Sequence, residues 1–208
     1  VMPFGDRSVD VIMITNPDAD HYAGFLDLLD GYTVGAVVES GTHSDTTTYK
    51  TLGKMIDEQK IPRLLARKGM RIVLDAEHGV EFEVLFPDRE ISGWSRNDGS
   101  IMGVLTYGST KVFFTGDGTT TTENAVMLRT NEEVFKSDIL KVGHHGSRTS
   151  TSDAFVKAVR PKYAVISDGK KNSYGHPHAE TLTTLARHGV EIVRTDLLGT
   201  ITFISDGS

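Results

Sequence analysis

The sequence predicts a mixed α/β protein in which two packed sheets carry helices on their outer faces, an αββα sandwich. Two observations set the class: strand-like and helix-like segments alternate along the whole of the 208 residues, and the middle of the chain is strand-rich between flanking strand–helix units. A third observation bears on the layering. Clusters rich in Asp and His repeatedly follow apolar runs, which puts them in loops at strand ends. The length suffices for a substantial core, and a single domain over residues 1–208 is expected.

Taken in order, the first strand is expected at 10–15, where Val11-Ile12-Met13-Ile14 forms a buried apolar run, and the second at 34–39. A helix with an apolar face near 22–30 separates them. A second helix covers 45–60 and stops before Pro62, which cannot continue a helical hydrogen-bond ladder. Ser44, Asp45 and the threonines at 46–48 read as its cap and solvated face. Strands follow at 71–75, 80–86, 100–107 and 111–115. Beyond them come a helix at 121–130, a strand at 138–142, a helix at 151–159, a strand at 163–167, a helix at 179–188 and strands at 190–194 and 199–204. Val1 precedes Met2, and little room for structure lies ahead of the first strand.

Composition narrows the function classes. With 38% hydrophobic and 24% charged residues, the chain is neither a disordered nor a membrane-spanning type. No apolar run approaches a membrane span and no signal peptide opens the chain, so direct membrane insertion by these residues is not expected. There is no cysteine, so a metal would have to be held by His, Asp or Glu. The net charge of −6 argues against a basic nucleic-acid sponge. It leaves room for phosphodiester chemistry, because bound divalent cations supply local positive charge.

The densest group of candidate ligands is Asn16-Pro17-Asp18-Ala19-Asp20-His21, directly after the first strand. Asp20 and His21 diverge on a strand but can converge in a turn, and carboxylate with imidazole suits Zn²⁺ or Mn²⁺. The bland alternative is a turn or helix cap at Asn16 and Asp18. Four further clusters sit at strand–loop junctions: Asn97-Asp98-Gly99-Ser100, Thr115-Gly116-Asp117, Gly143-His144-His145-Gly146-Ser147 and Tyr174-Gly175-His176-Pro177-His178. Gly116 permits a tight turn that projects one carboxylate. His144 and His145, flanked by glycine, are poor core residues, whereas Asn97 and Asp98 read first as turn formers. His-Pro-His also fits a helix start. His43, His78 and His188 lack such company and are assigned surface or packing roles.

These motifs, in this order, resemble the metallo-β-lactamase-fold hydrolases, and within them the soluble domain of the competence DNA-internalisation protein ComEC and its stand-alone relatives. The similarity runs from about residue 9 to about residue 204. It implies a four-layer αββα fold with a metal centre at one edge, and hydrolysis with nucleic-acid phosphodiesters as the substrate class. By the resemblance, Asp18 ligates a first metal, Asp20 and His21 a second, and Asp117 bridges them. His144 completes the second site, with His145 in its place if the register differs by one. His176 and His178 lie at the cleft as phosphate contacts, proton donor or an extra ligand, and Asp20 or Asp117 orients the attacking water. Two departures stand out. Asn16 occupies a family His position and Asn97-Asp98 the region of another, so one firm metal and one labile or absent metal are expected. Relatives also carry further strands ahead of this point, so one sheet is expected to be short.

The resulting expectation is a divalent-metal hydrolase, with one or two Zn²⁺ or Mn²⁺ ions, acting on DNA, with single-stranded DNA as partner. Two rivals are a degenerate domain that binds metal or nucleic acid without turnover, and a phosphodiesterase for small phosphocholine-type esters. A cleft bordered by Lys141, Arg148, Lys170 and Lys171 favours a polyanion, whereas a closed aromatic pocket at Tyr174 favours a choline-like group. As part of a competence membrane protein the domain would lie outside the cytoplasmic membrane; otherwise cytoplasmic and secreted locations are both open.

Overall fold

A computed structural model describes residues 5–208, and the chain's opening at residues 1–4, with Val1 and Met2, lies outside the described residues. The first half is a βα unit repeated: β1 (Ser8–Ile14), α1 (Ala19–Tyr22), α2 (Gly24–Gly31), β2 (Thr33–Glu39), α3 (Thr47–Glu58) and β3 (Arg63–Leu65). The three strands form a parallel sheet in the order β1-β2-β3. Alternation along β1 and β2 sorts their side chains between two layers. Ile12, Ile14 and Val37 pack on Tyr22, Leu29, Leu52 and Ile56 from the helices, while Val11, Met13 and Val38 face the second sheet. Helix α3 follows from its ends and its stripe: the Thr46 hydroxyl accepts from Tyr49 N at 3.3 Å, and Leu52 and Ile56, four apart, are both buried.

The larger sheet is built from β4 (Arg71–Asp75), β5 (Val80–Phe86), β6 (Met102–Tyr107), β7 (Thr110–Phe114), β8 (Ile139–Lys141), β9 (Tyr163–Ile166) and β10 (Glu191–Arg194). Its order is β10-β9-β8-β7-β6-β5-β4. From β4 to β7 neighbours are antiparallel, and from β7 to β10 they are parallel. Parallel neighbours require crossovers. These are α4 (Thr120–Met127) with α5 (Glu132–Phe135), then α6 (Asp153–Val159), then α7 (Ala179–Arg187). Their inward residues Val126, Phe135 and Phe155 meet Phe86, Met102 and Phe113 of the sheet. Each such fully buried side chain contributes about 1.5–3 kcal/mol of transfer free energy. The opposite face of this sheet supplies Val84 and Ile72 to the layer shared with β1 and β2, which completes the αββα sandwich.

One expected strand is absent. After β10 a helical turn, α8 (Thr195–Leu198), ends at Gly199 with φ 72°, and residues 200–208 form no ladder. The turn carries the chain over the sheet face instead of along its edge. Ile201 and Phe203 line a shallow cavity with Val112, Phe114 and Val165, and Gly207 accepts from Ser109 N at 2.8 Å. The short elements β3, α5 and α8 were not legible as separate elements in the sequence.

Candidate metal centre

The ends of β1, β7, β8 and β9 meet at one edge of the sandwich, and the loop after each contributes to a single cleft of about 710 Å³. Cross-links between those loops fix the arrangement. Ile101 N donates to Thr15 O at 2.9 Å, Asp117 N donates to the Ser100 hydroxyl at 3.2 Å, and the Thr115 hydroxyl donates to Lys141 O at 2.7 Å. Gly116, at φ 53°, makes the turn that swings Asp117 inward, and a Cβ there would lie 3.0 Å from Ser100 Cβ. Downstream, His144 and His145 both adopt left-handed backbone, at φ 46° and 53°. Two consecutive left-handed side-chain-bearing residues cost about 1–2 kcal/mol each. The cost places both imidazoles in the cleft from one tight turn, with Gly146 packed against Pro177 behind them.

Four of the side chains converge. One ligand atom from each of Asp20, His21, Asp117 and His145 lies within 4.8 Å of all the others. His21 Nε2 is 3.0 Å from Asp117 Oδ2 and 3.6 Å from Asp20 Oδ2. His145 Nε2 is 3.0 Å from Asp20 Oδ2 and 3.5 Å from Asp117 Oδ2. The outer nitrogens are held from behind: His21 Nδ1 lies 3.0 Å from the Thr15 hydroxyl, and His145 Nδ1–H donates to Ser167 O at 2.5 Å. Such outer contacts aim Nε2 of each ring at a common point. His21 Nε2 and Asp117 Oδ1 are buried without a hydrogen-bond partner, which a cation at the centre would satisfy. The donor set, two imidazoles and two carboxylates, fits a borderline or hard divalent ion.

The placement differs from the sequence expectation at several residues. His145, not His144, joins Asp20, His21 and Asp117, because the left-handed turn points the second ring at the cluster. His144 faces the other way: its Nδ1 is 3.2 Å from the Thr149 hydroxyl and its Nε2 3.5 Å from Asn97 Nδ2. Asn97 in turn accepts from Asn16 Nδ2 at 3.2 Å, and Asn16 is fully buried. A chain of amides therefore stands beside the cluster. Asp18 lines the cleft but is outside the cluster, its carboxylate 2.8 Å from Arg96 Nη1. Asp98 shapes its own loop, accepting from the Ser95 hydroxyl at 2.6 Å and from the Thr119 hydroxyl. His176 is on the cleft wall; His178 is behind it, ring centroids 4.8 Å apart, with Nδ1 accepting from Arg148 N at 3.2 Å. His178 thus precedes α7 and anchors the loop after β8. His78 and His188 pair with Asp75 and Asp153 away from the cleft. Sequence reasoning missed Arg96, Thr15 and Ser167; only the adjacency of Arg96 to Asn97 hinted at the first.

Charge is arranged around the cluster, with Asp117 and His21 shielded from solvent and Asp20 open to it. The hydrogen bond to His145 holds the Asp20 carboxyl down at about 2, with His21 adding to it. Burial pushes Asp117 up, but His21, Lys141 and His145 outweigh it and leave the carboxyl below its ordinary value. Lys141 lies beneath the cleft, not at its border, with Nζ 3.1 Å from Gly116 O and 3.9 Å from Asp117 Oδ1. Burial depresses its pKa against the pull of Asp117 and Asp20. His145 is raised by its bond to Asp20, whereas burial lowers His144 and His176.

The metallo-β-lactamase superfamily profile matches residues 3–169, across both sheets and three of the four cleft loops in full. The chain belongs to the metallo-β-lactamase superfamily. Among solved structures, this superfamily member shares its fold with a mutant of CmlA beta-hydroxylase, at TM-score 0.55 and 14% identity over 90% of this chain and 43% of that one. It also matches the metallo-beta-lactamase fold protein YhfI from Bacillus subtilis, at TM-score 0.51 and 11% identity over 89% of this chain and 74% of that one. Curated relatives are nearer in sequence. ComE operon protein 3 of Bacillus subtilis (strain 168) is 34% identical over 203 residues, and competence protein ComA of Neisseria gonorrhoeae 30% identical over 199. Each alignment takes in 96% of this chain but only 25% and 26% of the relative, so the chain spans about a quarter of their length. Among the described residues, no helix of this metallo-β-lactamase-fold chain is long and apolar enough to cross a membrane.

Proposed function

We propose that the chain is a metal-dependent hydrolase of nucleic-acid phosphodiester bonds. The observation that carries the reading is the convergence of Asp20, His21, Asp117 and His145 at the floor of a cleft that also presents the Arg96 guanidinium. Asp20, His21, Asp117 and His145 would hold a divalent cation, which would supply Lewis-acid polarisation and acidify water near neutral pH. The protein's own part is electrostatic. Arg96, on the cleft wall, offers a charged fork to non-bridging phosphate oxygens. Asp20, the most exposed of the four carboxylate and imidazole groups at 59%, is placed to accept a hydrogen bond from the attacking water. Burial, with the neighbouring His178 and His144, lowers the His176 pKa and so favours its neutral form. In that form it can donate one N–H to a phosphoryl oxygen.

The resemblance to the competence DNA-internalisation proteins, with which the similarity to competence protein ComA agrees, supports nucleic acid as the substrate class. Tyr174 argues against a choline-like ester, since its ring is 77% exposed and forms no cage. The amide chain Asn16–Asn97–His144 and the Asp18–Arg96 pair occupy the groups that would hold another ion, which supports a one-ion centre. The test is metal content per chain together with Mn²⁺- or Zn²⁺-dependent cleavage of a single-stranded DNA oligomer. One ion bound, cleavage in wild type and loss of both in His145→Ala are expected. Metal bound without cleavage would instead select the non-catalytic binding domain.

A further inference from the structure

We infer that Tyr174 is a stacking platform for an unpaired nucleobase next to the metal centre, so that the cleft selects single-stranded over duplex nucleic acid. The inference rests on the proposed nucleic-acid reading and adds a binding subsite to it. Three rings form a ladder leading out of the centre. His176 lies 12° from parallel with His145 at 6.4 Å between centroids, and Tyr174 lies 23° from parallel with His176 at 5.7 Å. One face of Tyr174 is backed by His176, and the ring is 77% exposed on the cleft wall. A base laid on the outer face would extend the ladder in the offset geometry aromatic pairs prefer.

The platform is preorganised. Asn172 clamps both backbone groups of His176, its Nδ2 donating to His176 O at 2.8 Å and its Oδ1 accepting from His176 N at 2.9 Å. Its other amide hydrogen serves Gly169 O at 3.0 Å, which closes the loop on itself. Lys170 and Lys171, both exposed, stand on that same loop of an otherwise acidic chain, where they can track a sugar–phosphate backbone. Every base has a π-face, so such a platform tolerates any sequence but needs that face free, and in a duplex it is covered by neighbouring pairs.

The experiment pairs binding with cleavage. A DNA oligomer carrying 2-aminopurine is titrated with metal-free protein in chelator, and its fluorescence is quenched on stacking. With Mn²⁺ added, the rate on an intact oligomer is compared with that on one carrying an abasic site beside the cleaved bond. Wild type is expected to quench the probe and to prefer the intact oligomer about tenfold in kcat/KM. In Tyr174→Ala quenching should vanish and the ratio fall to about one, and Tyr174→Trp should restore both. Cleavage with no quenching and a ratio of one in wild type overturns the platform while leaving the nuclease reading intact. Quenching that depends on Tyr174 without cleavage keeps the subsite and removes the hydrolase. Neither quenching nor cleavage of DNA, with bis(4-nitrophenyl) phosphate still hydrolysed, overturns both the nucleic-acid reading and the platform.

Discussion

His145 Nε2 lies 3.0 Å from Asp20 Oδ2 while its Nδ1–H is committed to the Ser167 carbonyl. Because that carbonyl can only accept, the ring has one nitrogen left, and it either carries a proton toward Asp20 or offers a lone pair to a cation. Proton and metal compete for the same atom. The pair with Asp20 raises the His145 pKa, so competition begins at a higher pH than for an ordinary imidazole. Metal affinity is expected to fall as pH is lowered from about 8 to about 5.5, approaching tenfold per unit once His145 is protonated. Calorimetric metal titration across that range checks it, and a flat profile would show that His145 is not a ligand.

Without metal the same pair acts on stability in the opposite sense. A raised His145 pKa contributes stability that is complete below the unfolded value of about 6.5 and is lost as pH rises through the folded one. The depressed Asp20 pKa contributes stability present above about 3.9 and lost as pH falls toward about 2. The joint contribution is therefore greatest between about pH 4 and 6.5, and with Asp20 more than half exposed it stays under about 1 kcal/mol. Thermal melts of the metal-free protein should show a small loss from pH 6 to pH 8 that His145→Ala abolishes.

The neighbouring histidine gives a sharper discrimination. His145→Ala removes a ligand and should weaken metal binding by well over the roughly 10–100-fold that outer-contact changes produce. His144 is tied to Asn97 and the Thr149 hydroxyl and not to the four-residue cluster, so His144→Ala should leave one ion per chain. Elemental analysis after dialysis separates the two, and the reverse outcome would restore the register expected from sequence.

Arg96 is half exposed and, among the described residues, forms its ion pair with Asp18. In Arg96→Met the charged fork on the phosphate is lost, and KM for an oligonucleotide should rise about tenfold, as for one charge-assisted hydrogen bond. Steady-state kinetics at two salt concentrations test this, since the substitution should also flatten the salt dependence.

Away from the cleft, Glu123 of α4 is 1% exposed, and its carboxylate accepts from Thr151 N and from Ser152 N, the latter at 3.0 Å. Thr151 is itself left-handed at φ 62°. Glu123→Ala strands both donors and should cost about 2 kcal/mol, lowering Tm by about 4–8 °C. Glu123→Gln, which retains one acceptor, should lose less.

The clusters after the first strand, after 111–115 and after 138–142 were legible because apolar strands and polar ends differ so sharply in composition. The one-residue choice between His144 and His145 was not, because it depends on two left-handed φ values that no local pattern in Gly-His-His-Gly specifies. The resemblance places His178 at the cleft, yet its ring is taken by Arg148 N from another loop. The strand expected at 199–204 has alternating side chains, but α8 and the turn at Gly199 lay it across the sheet face instead of along the outer edge of β10.

By itself the sequence determined the α/β class, the order of nearly all elements and the loops that carry the chemistry, since these follow from periodicity and residue type, while the likeness of its ordered motifs pointed to the family. The tertiary structure decided which imidazole completes the cluster, that Asp18 meets Arg96, and that Tyr174 stacks outward from His176. These are contacts between residues far apart in the chain, 125 positions for Asp20 and His145, or orientations within one turn. They are fixed by how strand ends are brought together, a property of the packed layers that no local stretch of chain contains.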